Sequence, residues 1–185
     1  MAVMLKQVET VGVAGYPPKA DGLSPKADAL DPGAVWSRIE QWVAYRWTPR
    51  EVVWTVEGDG DWTPPLAPVI EAAAEVWRGG AFVPVALSAS PLGGYILPDH
   101  GPYRITATVG AGEVPAAVQE AYRRLAEYSA DGQTSNMLTG RPGASSHTGQ
   151  IGGDLSESIE RNPAWLARAL AWSGAADLLR PYRRA

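Results

Sequence analysis

Between Tyr103 and Tyr128 the sequence changes its period once, and nothing else constrains the possible folds as strongly. YRITATV is a β-branched, alternating run; VGAG follows; then Val118, Ala121, Tyr122 and Leu125 fall on one helical stripe between Pro115 and Tyr128. A strand therefore ends at Gly110 to Gly112 and a helix starts at Val114-Pro115, so the chain must combine both kinds of element. Strand, glycines, helix is also the order of phosphate-binding loops, which need a GK[ST] ending or a third glycine at fixed spacing. Here Gly112 is followed by Glu113, Val114 and Pro115, and Glu113 would place a carboxylate where phosphate should lie. The glycines are read as a turn.

Similar punctuation organises the rest. Residues 1–30 carry Pro17, Pro18, Pro25 and several glycines that interrupt every period, and they are read as an extended N-terminal arm. Asp31-Pro32 is an N-cap followed by proline at the first helical position, and Val35, Ile39, Trp42 and Val43 share one face. This helix is expected from Asp31 to Trp47, with Pro49 stopping it. EVVWTV, ended by a Gly-Asp turn, reads as a strand. IEAAAEVW and AFVPVAL read as a hairpin turning at Arg78 to Gly80. GYILP and YRITATV read as a second hairpin across PDHGP. Residues 131–153 lack apolar periodicity and read as a flexible polar linker. Asn162-Pro163 opens a last helix in which Trp165, Ala169, Trp172, Ala176 and Leu179 recur on one side. The predicted fold is α+β: a small helical bundle over residues 31–130 with an inserted antiparallel β-hairpin region, extended terminal arms, and a docking helix within residues 154–185.

Composition removes several chemistries. The chain of 185 residues is long enough for a real core, and it has no apolar run able to span a bilayer and no leader signal, so it is read as soluble and unprocessed. It has no cysteine, which excludes disulfides and thiolate metal sites, and only two histidines, His100 and His147. Neither histidine lies in a recognisable catalytic pattern, and no GxSxG elbow is present. No catalytic, cofactor or metal residue is assigned, and no enzymatic activity is expected. Asp59 and Asp61 in GDGD read as a solvated loop tip and not as a glycosidase pair or a calcium loop. The net charge of −4 argues against a general nucleic-acid binder. Its distribution is uneven: Glu51 to Glu75 holds only acidic charges, whereas arginines dominate after Arg161.

A helix ending WVAYRWTPR, a β region, and then a strand, a glycine turn and a Val-Pro helix start resemble the head-tail adaptor (head-completion or connector) proteins of long-tailed bacteriophages and gene transfer agents. The resemblance covers roughly residues 31 to 130 and is carried by Trp42, Val43, Thr48, Arg50, Gly110, Gly112, Val114 and Pro115. It implies a structural virion protein at the capsid-tail junction, assembled in the host cytoplasm. Such a protein forms a homo-oligomeric ring of about twelve copies, joins the portal to a stopper or tail protein, and lets DNA pass through its lumen.

Two surfaces follow from that implication. Glu57, Asp59, Asp61, Glu71 and Glu75 are the candidate lining of the DNA channel, since a wall that DNA slides past should not hold phosphates. The C-terminal helix either packs back on the core or docks on the portal. Its aromatic and basic composition favours docking through Trp165, Leu166, Leu170, Trp172, Leu178, Leu179, Arg180, Tyr182, Arg183 and Arg184. A stopper or tail-terminator ring of the same neck is the nearest alternative. A β-rich carbohydrate- or ligand-binding module with exposed tryptophans is the alternative of another class.

Overall fold

The computed structural model describes residues 2–12, 15–131, 144–149, 157–161 and 167–183. The expected helical bundle with a hairpin insertion is not what the chain forms. It is mostly β-sheet and 28% helical, and it divides into two compact units. Residues up to Pro17 join Ala44–Glu113 in a β unit; Pro18–Val43 join Val114–Arg183 in a second unit that contains all the helices.

The β unit holds strands β1 (Val3–Thr10), β2 (Arg50–Glu57), β3 (Gly60–Trp62), β4 (Val69–Arg78), β5 (Ala81–Val85), β6 (Ser88–Ala89), β7 (Tyr95–Leu97) and β8 (Tyr103–Val109). One antiparallel sheet has the order β1-β2-β8-β4-β5, and a smaller one the order β3-β7-β6. β2 and β8 bury every second side chain: Val52, Trp54 and Val56 on one, Tyr103, Ile105, Ala107 and Val109 on the other. Trp62 and Leu97 of the smaller sheet, with Leu66, close over these rows in one core. Trp54 meets Trp62 edge-on at 5.5 Å, and Trp62 stacks on Tyr95 at 6.4 Å.

The hairpin at Gly79 and Gly80 is present as β4 and β5, with IEAAAEVW extended despite its alanines. The second expected hairpin is not. β8 is bonded on both sides, by β2 and β4, so no ladder is left for β7, which pairs with β3 and β6. The N-terminal segment does not run as one arm either, because β1 pairs with β2 along the sheet edge while residues 18–30 belong to the other unit.

Gly110 makes the closest backbone approach of the β unit. Its φ is 110°, its amide donates to the Pro68 carbonyl at 2.9 Å, and the Ala111 amide donates to the Arg46 carbonyl at 3.3 Å. A Cβ here would overlap the Thr48 carbonyl oxygen and lie 2.8 Å from its carbon.

In the second unit, Ser24 caps α1 (Pro25–Asp28) and Asp31 caps α2 (Pro32–Trp42), the latter accepting from the Gly33 and Ala34 amides as the sequence predicts. α2 ends five residues short of Trp47 because Val43 is already extended, with ψ at 156°. α3 (Ala116–Asp131) buries Val118, Ala121, Tyr122 and Leu125, the predicted stripe. Tyr122 lies 4.9 Å from the fully buried Trp36, and Glu127 clamps Ser24 by accepting from its amide at 2.6 Å and its hydroxyl at 2.7 Å.

The expected linker lies largely outside the described residues; within 131–161, the backbone of β9 (Ala144–Gly149) pairs antiparallel with β10 (Glu157–Arg161). The expected long C-terminal helix is two single turns, α4 (Ala169–Trp172) and α5 (Ala175–Leu178), followed by a 3-10 turn at Arg180–Tyr182. Gly174, with φ at 74°, breaks it.

Candidate functional site

Glu9 is the centre of a buried polar lock in the β unit. Even-odd alternation along β1 turns Gln7 and Glu9 to the core face, opposite Trp54 and Val52. Gln7 accepts from the Trp54 indole N–H at 2.9 Å. Glu9 accepts from Arg46 at 2.6 and 3.1 Å and from Arg50 at 2.9 Å. Arg50 also donates to the Thr48 hydroxyl at 2.7 Å, and that hydroxyl donates to the Gly15 carbonyl at 2.8 Å. Burial alone would raise the Glu9 pKa, but hydrogen bonds and charge from Arg46 and Arg50 outweigh it and hold the carboxyl below its ordinary range. Thr48 and Arg50, two of the residues on which the resemblance rests, thus tie β1 to the sheet. The Glu9 carboxylate and the Thr48 hydroxyl are both engaged inside the lock, which fixes backbone.

The five acidic positions do not make one continuous surface. Glu57, Glu71 and Glu75 share the solvent face of the large sheet, by alternation along β2 and β4. Arg104 neutralises Glu75 at 2.6 Å, and Glu71 accepts from Thr108 at 3.1 Å. Asp59 sits in the turn after β2, 3.4 Å from His100 at an exposed tip. Asp61 belongs to the small sheet, where the Ser90 hydroxyl donates to it. Glu51, outside the candidate lining, joins the same face: it is cross-strand to Thr108, which pairs on its other side with Glu71. Alternation in β2 already places Glu51 and Glu57 on one face, and that was the available signal.

Of the docking residues, Trp165, Leu166 and Arg184 lie outside the described residues. Leu179 is fully buried in the unit's own core, and Leu170, Leu178 and Tyr182 are half-buried. Arg183 stacks on Trp42 at 4.2 Å. Trp172 is 41% exposed, with Arg168 over its ring at 5.9 Å, and Arg180 is exposed beside Asp177 at 3.0 Å. This segment therefore packs on its own unit, and of the described docking residues it leaves Trp172, Arg180 and Arg183 exposed.

The tryptophans mostly build cores: Trp36, Trp47, Trp54 and Trp62 are buried, whereas Trp77 on β4 is exposed and meets Phe82 edge-on at 5.0 Å. Sequence reasoning missed β1 as an apolar surface, where Val3, Met4, Leu5 and Val8 are exposed along the sheet edge. Among the described residues, no three His, Cys, Asp or Glu side chains are grouped to hold a metal ion, and no helix is long and apolar enough to cross a membrane. Comparison with protein-family models, with curated proteins and with solved structures finds no match.

Proposed function

We propose that this chain is a structural subunit of a phage-type neck, a head-tail adaptor that forms a ring between the capsid portal and the tail. The observation that carries this reading is the order of the units. Pro18–Val43 and Val114–Arg183 make one helix-containing unit; Ala44–Glu113, which runs between them, makes the β unit together with the N-terminal residues up to Pro17. The return passes through β8, the Gly110 turn and Val114-Pro115, the stretch on which the resemblance rests. The helical bundle is no part of the proposal; chain order and exposed contact surfaces are.

In this reading Glu51, Glu57 and Glu71 on the solvent face of the large sheet would suit a lumen wall, which gains from repelling phosphates. Trp172 would be the portal anchor. Deleting residues 154–185 would also remove buried Leu179, so a side-chain change is the cleaner test. Trp172→Ala is expected to weaken binding to the portal of the same particle by roughly 30-fold, about 2 kcal/mol for an aromatic anchor. Sedimentation of wild type and variant with purified portal measures this. Equal binding would remove Trp172 from the interface, and no binding by the wild type would remove the adaptor reading.

A further inference from the structure

We propose that the free protein forms a two-fold dimer by pairing β1 with β1 of a second copy. This inference rests on the sheet edge alone and not on the neck reading.

The two edges of the large sheet are built differently. β5 is five residues long and carries Pro84, which has no N–H to donate, so that edge is blunted. β1 is eight residues long and has no proline, and its register shift between Met4 and Lys6 leaves Lys6–Thr10 as its regular stretch. Among the described residues no strand pairs with its outer side. Val3, Leu5 and Val8 on it are 56, 59 and 46% exposed. A long apolar edge of this kind is a template for another strand.

The occupant follows from symmetry and charge. A two-fold axis normal to the sheet keeps core face beside core face, so side chains of like parity must meet and the axis passes between the two copies of one residue. Three registers keep the middle of β1 paired, centred on Gln7, Val8 or Glu9. Centring on Glu9 sets that carboxylate against its own copy. Centring on Gln7 sets Leu5 against Glu9. Centring on Val8 gives Val8 on Val8, Lys6 beside Thr10 and Gln7 beside Glu9, with no like charges opposed.

The Val8 register also continues interactions already present. Val8 is cross-strand to Val53 on the solvent face, so the pair would create an apolar row Val53, Val8, Val8, Val53 across both copies. Gln7 uses its carbonyl oxygen on Trp54, which leaves its NH2 group to donate to the partner's Glu9 carboxylate. Neighbours around a rotational axis cannot all meet through such a contact. The dimer is thus a state of the free subunit, opened before any ring closes.

The chain has no cysteine, so single cysteines report the register directly. Val8, Lys6 and Thr10 are exposed on the solvent face, clear of the Glu9 lock. Wild type is expected to be a dimer by light scattering. Val8→Cys should then oxidise to a disulfide-linked dimer in near-complete yield. Lys6→Cys and Thr10→Cys should not crosslink alone but should crosslink when mixed. A monomeric wild type, a dimer that Val8→Cys fails to trap, or equal crosslinking by Lys6→Cys alone would overturn the proposal.

Discussion

Replacing Gly110 by alanine is expected to destabilise the β unit by about 4 kcal/mol, because two costs coincide there. The residue sits at φ 110°, where an L side chain is strained by about 1–3 kcal/mol. Its Cβ would also overlap the Thr48 carbonyl, and overpacking against backbone costs about 1–3 kcal/mol more. Thr48 cannot withdraw easily, since its hydroxyl bridges Arg50 and Gly15. Gly112, two residues on, has a φ of 91° but open space around its Cβ position, so Gly112→Ala carries only the backbone cost. Urea unfolding followed by tryptophan fluorescence should rank Gly110→Ala well below Gly112→Ala. Equal stabilities would mean that the close approach at Thr48 is not maintained.

Glu9→Gln should be nearly as damaging, at about 3 kcal/mol, because it removes the carboxylate that the buried Arg46 and Arg50 share. The same pair of guanidiniums makes the loss depend on pH. Glu9 has a lowered pKa in the folded chain, so its stabilisation is fully present above the ordinary glutamate range and is lost as pH falls through the lowered value. Wild-type stability should therefore fall on acidification, and Glu9→Gln should fall less steeply, since it has no carboxylate at this position to protonate. Parallel pH curves for the two proteins would show that the carboxylate does not carry the lock.

These two positions also mark where the sequence was legible. The glycine turn, the Asp31-Pro32 helix start, the stripe of α3 and the hairpin at Gly79 all depend on neighbours within a few residues, and each is visible in local pattern. β1 is hidden inside the expected arm because the prolines and glycines of residues 1–30 interrupt every period, and its core-facing Gln7 and Glu9 look like surface residues until Trp54, Arg46 and Arg50 arrive from distant parts of the chain. β7 and β8 were joined as a hairpin because they are consecutive, whereas the central position of β8 is decided by strands far away in sequence. At the C-terminus the apolar spacing predicts one continuous helix with Trp172 on its packed side, but Gly174 stops the helix, and Ala169, Ala175 and Leu179 are buried while Trp172 is exposed. The acidic stretch was recognised as a run, and only strand alternation distributes it between two sheets.

The surfaces that remain exposed after folding are the ones a function must use. The solvent face of the large sheet carries carboxylates at Glu51, Glu57 and Glu71, the last accepting from Thr108, among small β-branched neighbours such as Thr106 and Val53. β1 presents an apolar edge, and Trp172 an isolated aromatic. Together they offer an acidic face, an apolar edge and an aromatic side chain for the contacts with other subunits proposed above.

Electron microscopy of the purified chain mixed with portal from the same particle tests that account most directly. The account predicts a closed ring seated coaxially on the portal and in direct contact with it. A ring that binds only beneath another neck protein would move the chain to the stopper position. A chain that forms no ring and leaves the portal bare would contradict the account.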